Sequence, residues 1–119
     1  MNLLENSGFE TDWSEQESHD CVVVPAGGDL YTTEIGNIFV PPGWTAWFYH
    51  DPRSNPSLGY DQPEMRDAHE VERVHNGNQA IMWFTFYRRH DAGLFQQVKV
   101  PDGAQLRLSA YAHAWSNWH

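Results

Sequence analysis

The chain has 119 residues, 40% of them hydrophobic and 14% aromatic, and its 16 acidic against 7 basic side chains give a formal net charge of -9. That length holds one domain with one two-layer core rather than two ordinary domains, so residues 1–119 are read as a single domain. With Lys99 the only lysine there is no basic patch, which argues against nucleic acid and against insertion into or attraction to an anionic membrane, and favours a neutral partner such as a sugar chain.

Six Trp exceed what a small core needs. Trp is well suited to covering flat apolar faces, so some of these rings are expected at a functional surface, the alternative being that all pack inside or under loops. The lone Cys21 rules out an intrachain disulfide and reads as a buried thiol beside Val22-Val-Val. No apolar run approaches a membrane span. The opening Met1-Asn-Leu-Leu-Glu has no basic and apolar leader, which leaves an intracellular protein or one whose leader lies outside this sequence.

In chain order, residues 2–10 suggest a short strand at Leu3 and Leu4 and a turn at Asn6-Ser-Gly. Residues 11–20 are polar and acidic apart from Trp13, the expected anchor of a surface loop. Val22 to Val24 is a short β-branched strand ended by Pro25, and Ala26-Gly-Gly-Asp is a turn. A further strand is expected around Ile35 to Val40, weakened at Gly36. After the break at Pro41-Pro-Gly, an aromatic strand places Trp44, Ala46, Phe48 and His50 on one face and Thr45, Trp47 and Tyr49 on the other. Residues 51–63 make a long loop of the kind that often carries function. Residues 64–74 read as loop, then an incoming strand at Val71 and Val74. Residues 79–89 read as a central strand, apolar on both faces, whose phase the sequence leaves open.

The last two runs, 94–100 and 104–115, follow turn signals at His90-Asp-Ala-Gly and Pro101-Asp-Gly. The final run alternates most clearly. Leu106, Leu108, Ala110, Ala112 and Ala114 should face a core, and Arg107, Ser109, Tyr111, His113 and Trp115 should face water or a ligand. The count is seven or eight short strands and no convincing helix, which predicts an all-β sandwich.

An ordered set of short motifs carries a resemblance. It comprises the opening Asn2-Leu-Leu-Glu-Asn-Ser-Gly-Phe-Glu, Pro42-Gly-Trp, Arg73-Val-His-Asn-Gly-Asn-Gln-Ala, Ala92-Gly-Leu-Phe-Gln-Gln-Val, Pro101-Asp-Gly and Leu108-Ser-Ala-Tyr-Ala-His-Ala-Trp-Ser. Together they resemble a galactose-binding-like jelly roll, the class of the non-catalytic carbohydrate-binding modules of bacterial secreted glycosidases and of related bacterial surface proteins. The resemblance implies an antiparallel jelly-roll sandwich, an extracellular or cell-surface setting, and a sugar site on a sheet face or in the end loops. It also implies a structural calcium that draws on Glu10 and the loop of Asn76 and Asn78. Jelly rolls of this class return one or more strands after the Ser-Ala-Tyr-Ala-His-Ala-Trp strand. Closing the sandwich here therefore needs a further C-terminal segment, a second copy of the chain in a homo-oligomer, or another strand order.

A sugar presents apolar C–H faces and a ring of hydroxyls, which aromatic rings and planar polar groups respectively match. Candidate platforms are Trp47, Tyr49, Tyr111 and Trp115, and candidate hydroxyl partners are Arg89, Gln97, Arg107 and His113. An ordinary solvated sheet face is the competing reading. Seven His form no His-Glu-x-x-His pattern, so scattered surface His is preferred to a metal site. The acidic segment of Glu64, Asp67, Glu70 and Glu72 offers a carboxylate pair to a glycosidase-like enzyme, with Glu70 and Glu72 on one side of a strand. Non-catalytic carbohydrate binding is the leading expectation. A structural or adhesive module without a small ligand is second, and the enzyme third.

Overall fold

The computed structural model describes residues 2–13, 19–36 and 38–114. Among these the regular elements are β1 (His19–Pro25), β2 (Tyr31–Ile35), β3 (Thr45–His50), a single 3-10 turn at Pro56–Leu58, β4 (Glu64–Ala68), β5 (Ala80–Phe84) and β6 (Ala92–Phe95). The architecture is thus all-β, with a four-stranded sheet in the order β2-β1-β3-β6 and a two-stranded sheet of β4 and β5.

Register explains the core. Cys21 sits opposite Thr33 on β2 and Ala46 on β3, and Ala46 sits opposite Leu94 on β6. Val23, Phe48 and Ala92 form the next row on the same face. Cys21, Val23, Ala46 and Phe48 pack with Ile38, Val40 and Met65, and Trp44, Trp83, Ala92 and Leu94 close around them. Each fully buried branched or aromatic side chain in this cluster contributes about 1.5–3 kcal/mol of transfer free energy. Cys21 is the buried thiol expected from sequence, and burial pushes its pKa up to about 11.

Three of the four strand pairs are antiparallel, but β1 and β3 run parallel, unlike the wholly antiparallel sandwich expected. The connection makes this geometry available. Residues 26–44 pass through β2 and then cross to the second sheet, where Ile38 bridges Met65 in parallel. The excursion exceeds the roughly dozen residues a parallel crossover needs.

Several element expectations are corrected. Leu3 and Leu4 lie in no strand; the opening segment is a run of bends and turns. It is held by indole N–H groups, since Trp13 Nε1 donates to the Phe9 carbonyl at 2.8 Å and Trp44 Nε1 donates to the Asn6 carbonyl at 3.2 Å. Trp13 is buried, at 2% exposure; of the loop it was expected to anchor, residues 14–18 lie outside the described residues and residues 19 and 20 belong to β1. The strand expected from Ile35 onward instead ends at Ile35. Residues 64–74 are reversed from expectation: β4 comes first and turns follow, because Met65 is buried in the core while Val71 is 88% exposed. The 79–89 run is extended only over β5, and its phase is now set. Trp83 lies opposite buried Met65, and Met82 opposite outward Arg66. It is not a central strand, because β4 is its only neighbour among the described residues.

The largest correction concerns the C-terminal run. β6 ends at Phe95, and residues 96–114 contain no strand. Leu106, Leu108 and Tyr111 are 63%, 85% and 80% exposed. The turn at Pro101-Asp-Gly does form, with Gly103 at φ 72° and the Ala104 N–H donating to the Pro101 carbonyl at 3.2 Å. Beyond it no strand among the described residues takes up the main-chain N–H and C=O groups. An alternating pattern without a partner strand does not make a strand.

Candidate functional site

The outward face of the four-stranded sheet follows from the same register. Thr45, Trp47 and Tyr49 alternate with the buried Ala46 and Phe48 and are all half-buried. Trp47 lies opposite Val22 on β1 and Gly93 on β6, and Tyr49 lies opposite Val24. Gly93 decides how the indole sits. A Cβ there would come within 2.7 Å of Trp47 Nε1 and 3.1 Å of Cε2, so the ring lies against the β6 main chain in space that any other residue would fill.

At the far end of β3 the platform is extended by the loop. Tyr60 meets Tyr49 edge to face, with ring centroids 5.1 Å apart. Its main chain is bridged to Asp51 on one side and Arg89 on the other. The Tyr49 N–H donates to the Asp91 carbonyl at 2.7 Å, and the Asp61 N–H to the Arg89 carbonyl at 3.0 Å, which ties loop 51–63 to the segment leading into β6. Beneath the loop, Asp51 is 8% exposed and its carboxylate accepts from Arg53 Nε at 2.9 Å and Nη2 at 2.7 Å. Those hydrogen bonds hold the Asp51 carboxyl below the usual carboxylate range. Arg88 pairs with Asp61, and Arg89 is exposed at this end.

At the near end, Gln97 lies two residues beyond Phe95 and, with Phe95 and Thr45, lines an open recess of about 500 Å³. Gln96 lines the same recess and is engaged at both ends of its amide. It accepts from the Glu5 N–H at 2.8 Å and donates to the carbonyls of Glu5 at 3.1 Å and Gly43 at 2.7 Å. The face therefore reads Gln97, Phe95, Thr45, Trp47, Tyr49, Tyr60, Arg89 along one line. Thr45 to Tyr49 alone spans about 13 Å at the strand rise.

Of the eight ligand-contact candidates, the structure gathers Trp47, Tyr49, Gln97 and Arg89 along this line. Arg107, Tyr111 and His113 do not share the sheet face expected of them, because that strand is not formed. Tyr111 instead stacks on His75 with centroids 3.7 Å apart. Trp115 lies outside the described residues. Tyr60 was missed by sequence reasoning; its only signal was to be an aromatic residue in a long loop.

Three acids of the segment meet bases. Glu64 meets Arg66 at 3.2 Å, Asp67 meets His69, and Glu70 meets Arg73 at 3.6 Å. Glu70 and Glu72 belong to a turn rather than to one side of a strand.

Glu10 and Asn78, expected as calcium ligands, are brought together, but through hydrogen-bond donors. The Asn78 N–H donates to both Glu10 carboxylate oxygens at 3.0 Å, and the Gln79 N–H donates to Oε1 at 3.3 Å. The Gln79 amide nitrogen lies between the Phe9 and Thr11 carbonyls and donates to both. The amide NH2 carries two hydrogens and can satisfy both acceptors at once. The Glu10 carboxylate and the two carbonyls thus accept from N–H groups, so these oxygens are engaged by donors and do not stand as a free shell for a hard cation. Among the described residues, no three His, Cys, Asp or Glu gather for a metal ion.

No family model, no curated protein and no solved structure matches this chain. The functional reading rests on the geometry. No helix among the described residues is long and apolar enough to cross a membrane.

Proposed function

We propose that the outward face of the four-stranded sheet binds an oligosaccharide without transforming it. The observation that carries this reading is the Trp47 indole laid against Gly93, continued by Tyr49 and Tyr60 and flanked at the two ends by Gln97 and Arg89. Aromatic rings cover the apolar faces of sugar rings, and planar amide and guanidinium groups pair with hydroxyls. The net charge of -9 suits a neutral ligand. The face is open and lengthwise, which fits a chain of sugar rings better than one ring in a pocket. Water competes for every hydroxyl at such a surface, so affinity is modest.

This reading keeps the galactose-binding-like jelly roll as the finer fold type and an extracellular or cell-surface setting. It does not include a structural calcium, for the reason given by the Glu10 and Gln79 contacts. The sugar site moves from the C-terminal run to β3 and its neighbours.

A glycan array followed by calorimetry tests it. The wild type should bind at least one oligosaccharide, and Trp47→Ala should weaken that binding by at least about tenfold, or ~1.4 kcal/mol. Gly93→Val should do the same by displacing the indole, while Tyr111→Ala should have little effect. Binding that survives Trp47→Ala and is lost in Tyr111→Ala would place the site elsewhere.

A further inference from the structure

The connection from β5 to β6 is braced along its length and holds apolar rings in water. Phe86, Tyr87 and Arg88 form its bend. Thr85 Oγ1 closes the bend, donating its single hydrogen to the Arg88 carbonyl at 2.9 Å. His90 Nδ1, 2.9 Å from the same oxygen, is therefore the donor to it. Phe86 meets Phe84 edge to face, with ring centroids 4.6 Å apart. The end of the connection is tied to loop 51–63. Arg88 pairs with Asp61, the Asp61 N–H donates to the Arg89 carbonyl at 3.0 Å, and Arg89 bridges Tyr60.

Tyr87 stands in the middle of this bend, and two of its features work against the fold. Its φ is 53°, in the left-handed region where a Cβ is strained. It is also 98% exposed, so its ring is buried against nothing and no packing offsets that strain. Glycine or asparagine would make the same turn at lower cost. Residues strained in this way cluster where a protein meets its ligand. A ring with an apolar face and a hydroxyl tip, held clear of the protein, suits stacking against a sugar.

We propose that Tyr87 is a further ligand-binding residue, an outer platform that takes the rings of a linear, neutral polysaccharide beyond Tyr60. The proposal rests on the reading of the outward face as a sugar site. The bend meets that face through Arg89, which is bridged to Tyr60. Neighbouring extended segments lie about 4.8 Å apart. Tyr87 precedes Arg89 by two residues, at most about 7 Å of chain. The main chain of Tyr87 is thus within about 12 Å of that of Tyr60, a span close to that of Thr45 to Tyr49 along β3. A short sugar chain resting on Trp47 and Tyr49 ends before this platform, and a longer one reaches it. The site therefore selects for chain length.

Calorimetry on the full chain tests the proposal, with linear gluco-, manno-, galacto- and xylo-oligosaccharides running from disaccharide to hexasaccharide, and with thermal melts of the same samples. Wild type should bind the longest members of at least one series more tightly than the shortest. Tyr87→Asn keeps a residue suited to the left-handed turn. It should lose about three- to tenfold in affinity for the hexasaccharide, keep its affinity for the shortest member bound, and melt no lower than wild type. Tyr87→Phe should retain the gain with length. If Tyr87→Asn binds every length as wild type does while Trp47→Ala does not, the outer platform is refuted and the sugar face stands. If Tyr87→Asn melts lower, or weakens all lengths equally, the ring serves the fold and the proposal is again overturned. If wild type binds no member of any series, the sugar face and the platform fall together.

Discussion

β3 and residues 104–114 are alike in sequence and opposite in structure. Both alternate, with apolar residues on one face and aromatic or polar residues on the other. In β3 the apolar set, Ala46 and Phe48, is buried, and Trp47 and Tyr49 face outward. In the C-terminal run the apolar set faces water, with Leu108 at 85% exposure. The difference lies in neighbours. β3 has β1 on one side and β6 on the other, so its main-chain groups are paired and its inner face meets Met65 and Ile38. Residues 104–114 have no paired strand among the described residues. Alternation specifies which side chains share a face, but only a neighbouring strand makes that face part of a sheet.

The comparison can be sharpened most by truncating one apolar side chain in each region. Phe48→Ala should cost about 3–5 kcal/mol, from lost transfer energy and the cavity left behind. Leu108→Ala should stay within about 0.5 kcal/mol in urea unfolding. A large cost at Leu108 would break the contrast, since it would mean the run is packed.

A smaller effect is expected where the opening turns are stitched to the loop before β5. Gln79 is 8% exposed and donates to the Phe9 and Thr11 carbonyls. Gln79→Ala should cost about 1–3 kcal/mol by leaving those acceptors unpaired. Neither calcium nor a chelator should move the wild-type melting temperature. Gln79→Glu, which sets a carboxylate beside Glu10, should be destabilised and should regain stability on adding calcium.

The smallest effect belongs to the loop that brings Tyr60 to the aromatic face. Asp51 has its pKa depressed by Arg53. A carboxylate depressed in the folded state contributes stability above its unfolded pKa, about 3.9, and loses it as the pH falls through the folded value. Wild type should therefore lose stability relative to Arg53→Ala only as the pH drops below about 4. The difference between them should be flat at higher pH in thermal melts. No difference at any pH would show that the pair does not hold the loop.

Much of the four-stranded sheet was legible. The alternation of Thr45 to His50 and the β-branched run at Val22 announced strands, and the burial of Cys21 followed from its neighbours. The candidate face was half legible. Trp47 and Tyr49 could be assigned to one side of a strand, but Tyr60 lies eleven positions beyond Tyr49 in a loop whose main chain is bridged to Asp51 and Arg89. Gly93 carried no sign that its missing side chain makes room for an indole. The reversal of residues 64–74 was illegible for a different reason. Val71 and Val74 have stronger strand preference than Glu64 to Ala68, yet Met65 is the residue that reaches the core.

The sequence by itself determined the all-β class, the outward and inward sets of β3, and the buried thiol, because these depend on local period and side-chain chemistry. Tertiary structure alone decided the parallel pairing of β1 with β3, the line from Gln97 to Arg89, the N–H groups that meet Glu10, and the exposure of residues 104–114. All four depend on which distant main chain lies alongside. Pairing across long sequence separations is a property of the whole chain, and no window of residues encodes it.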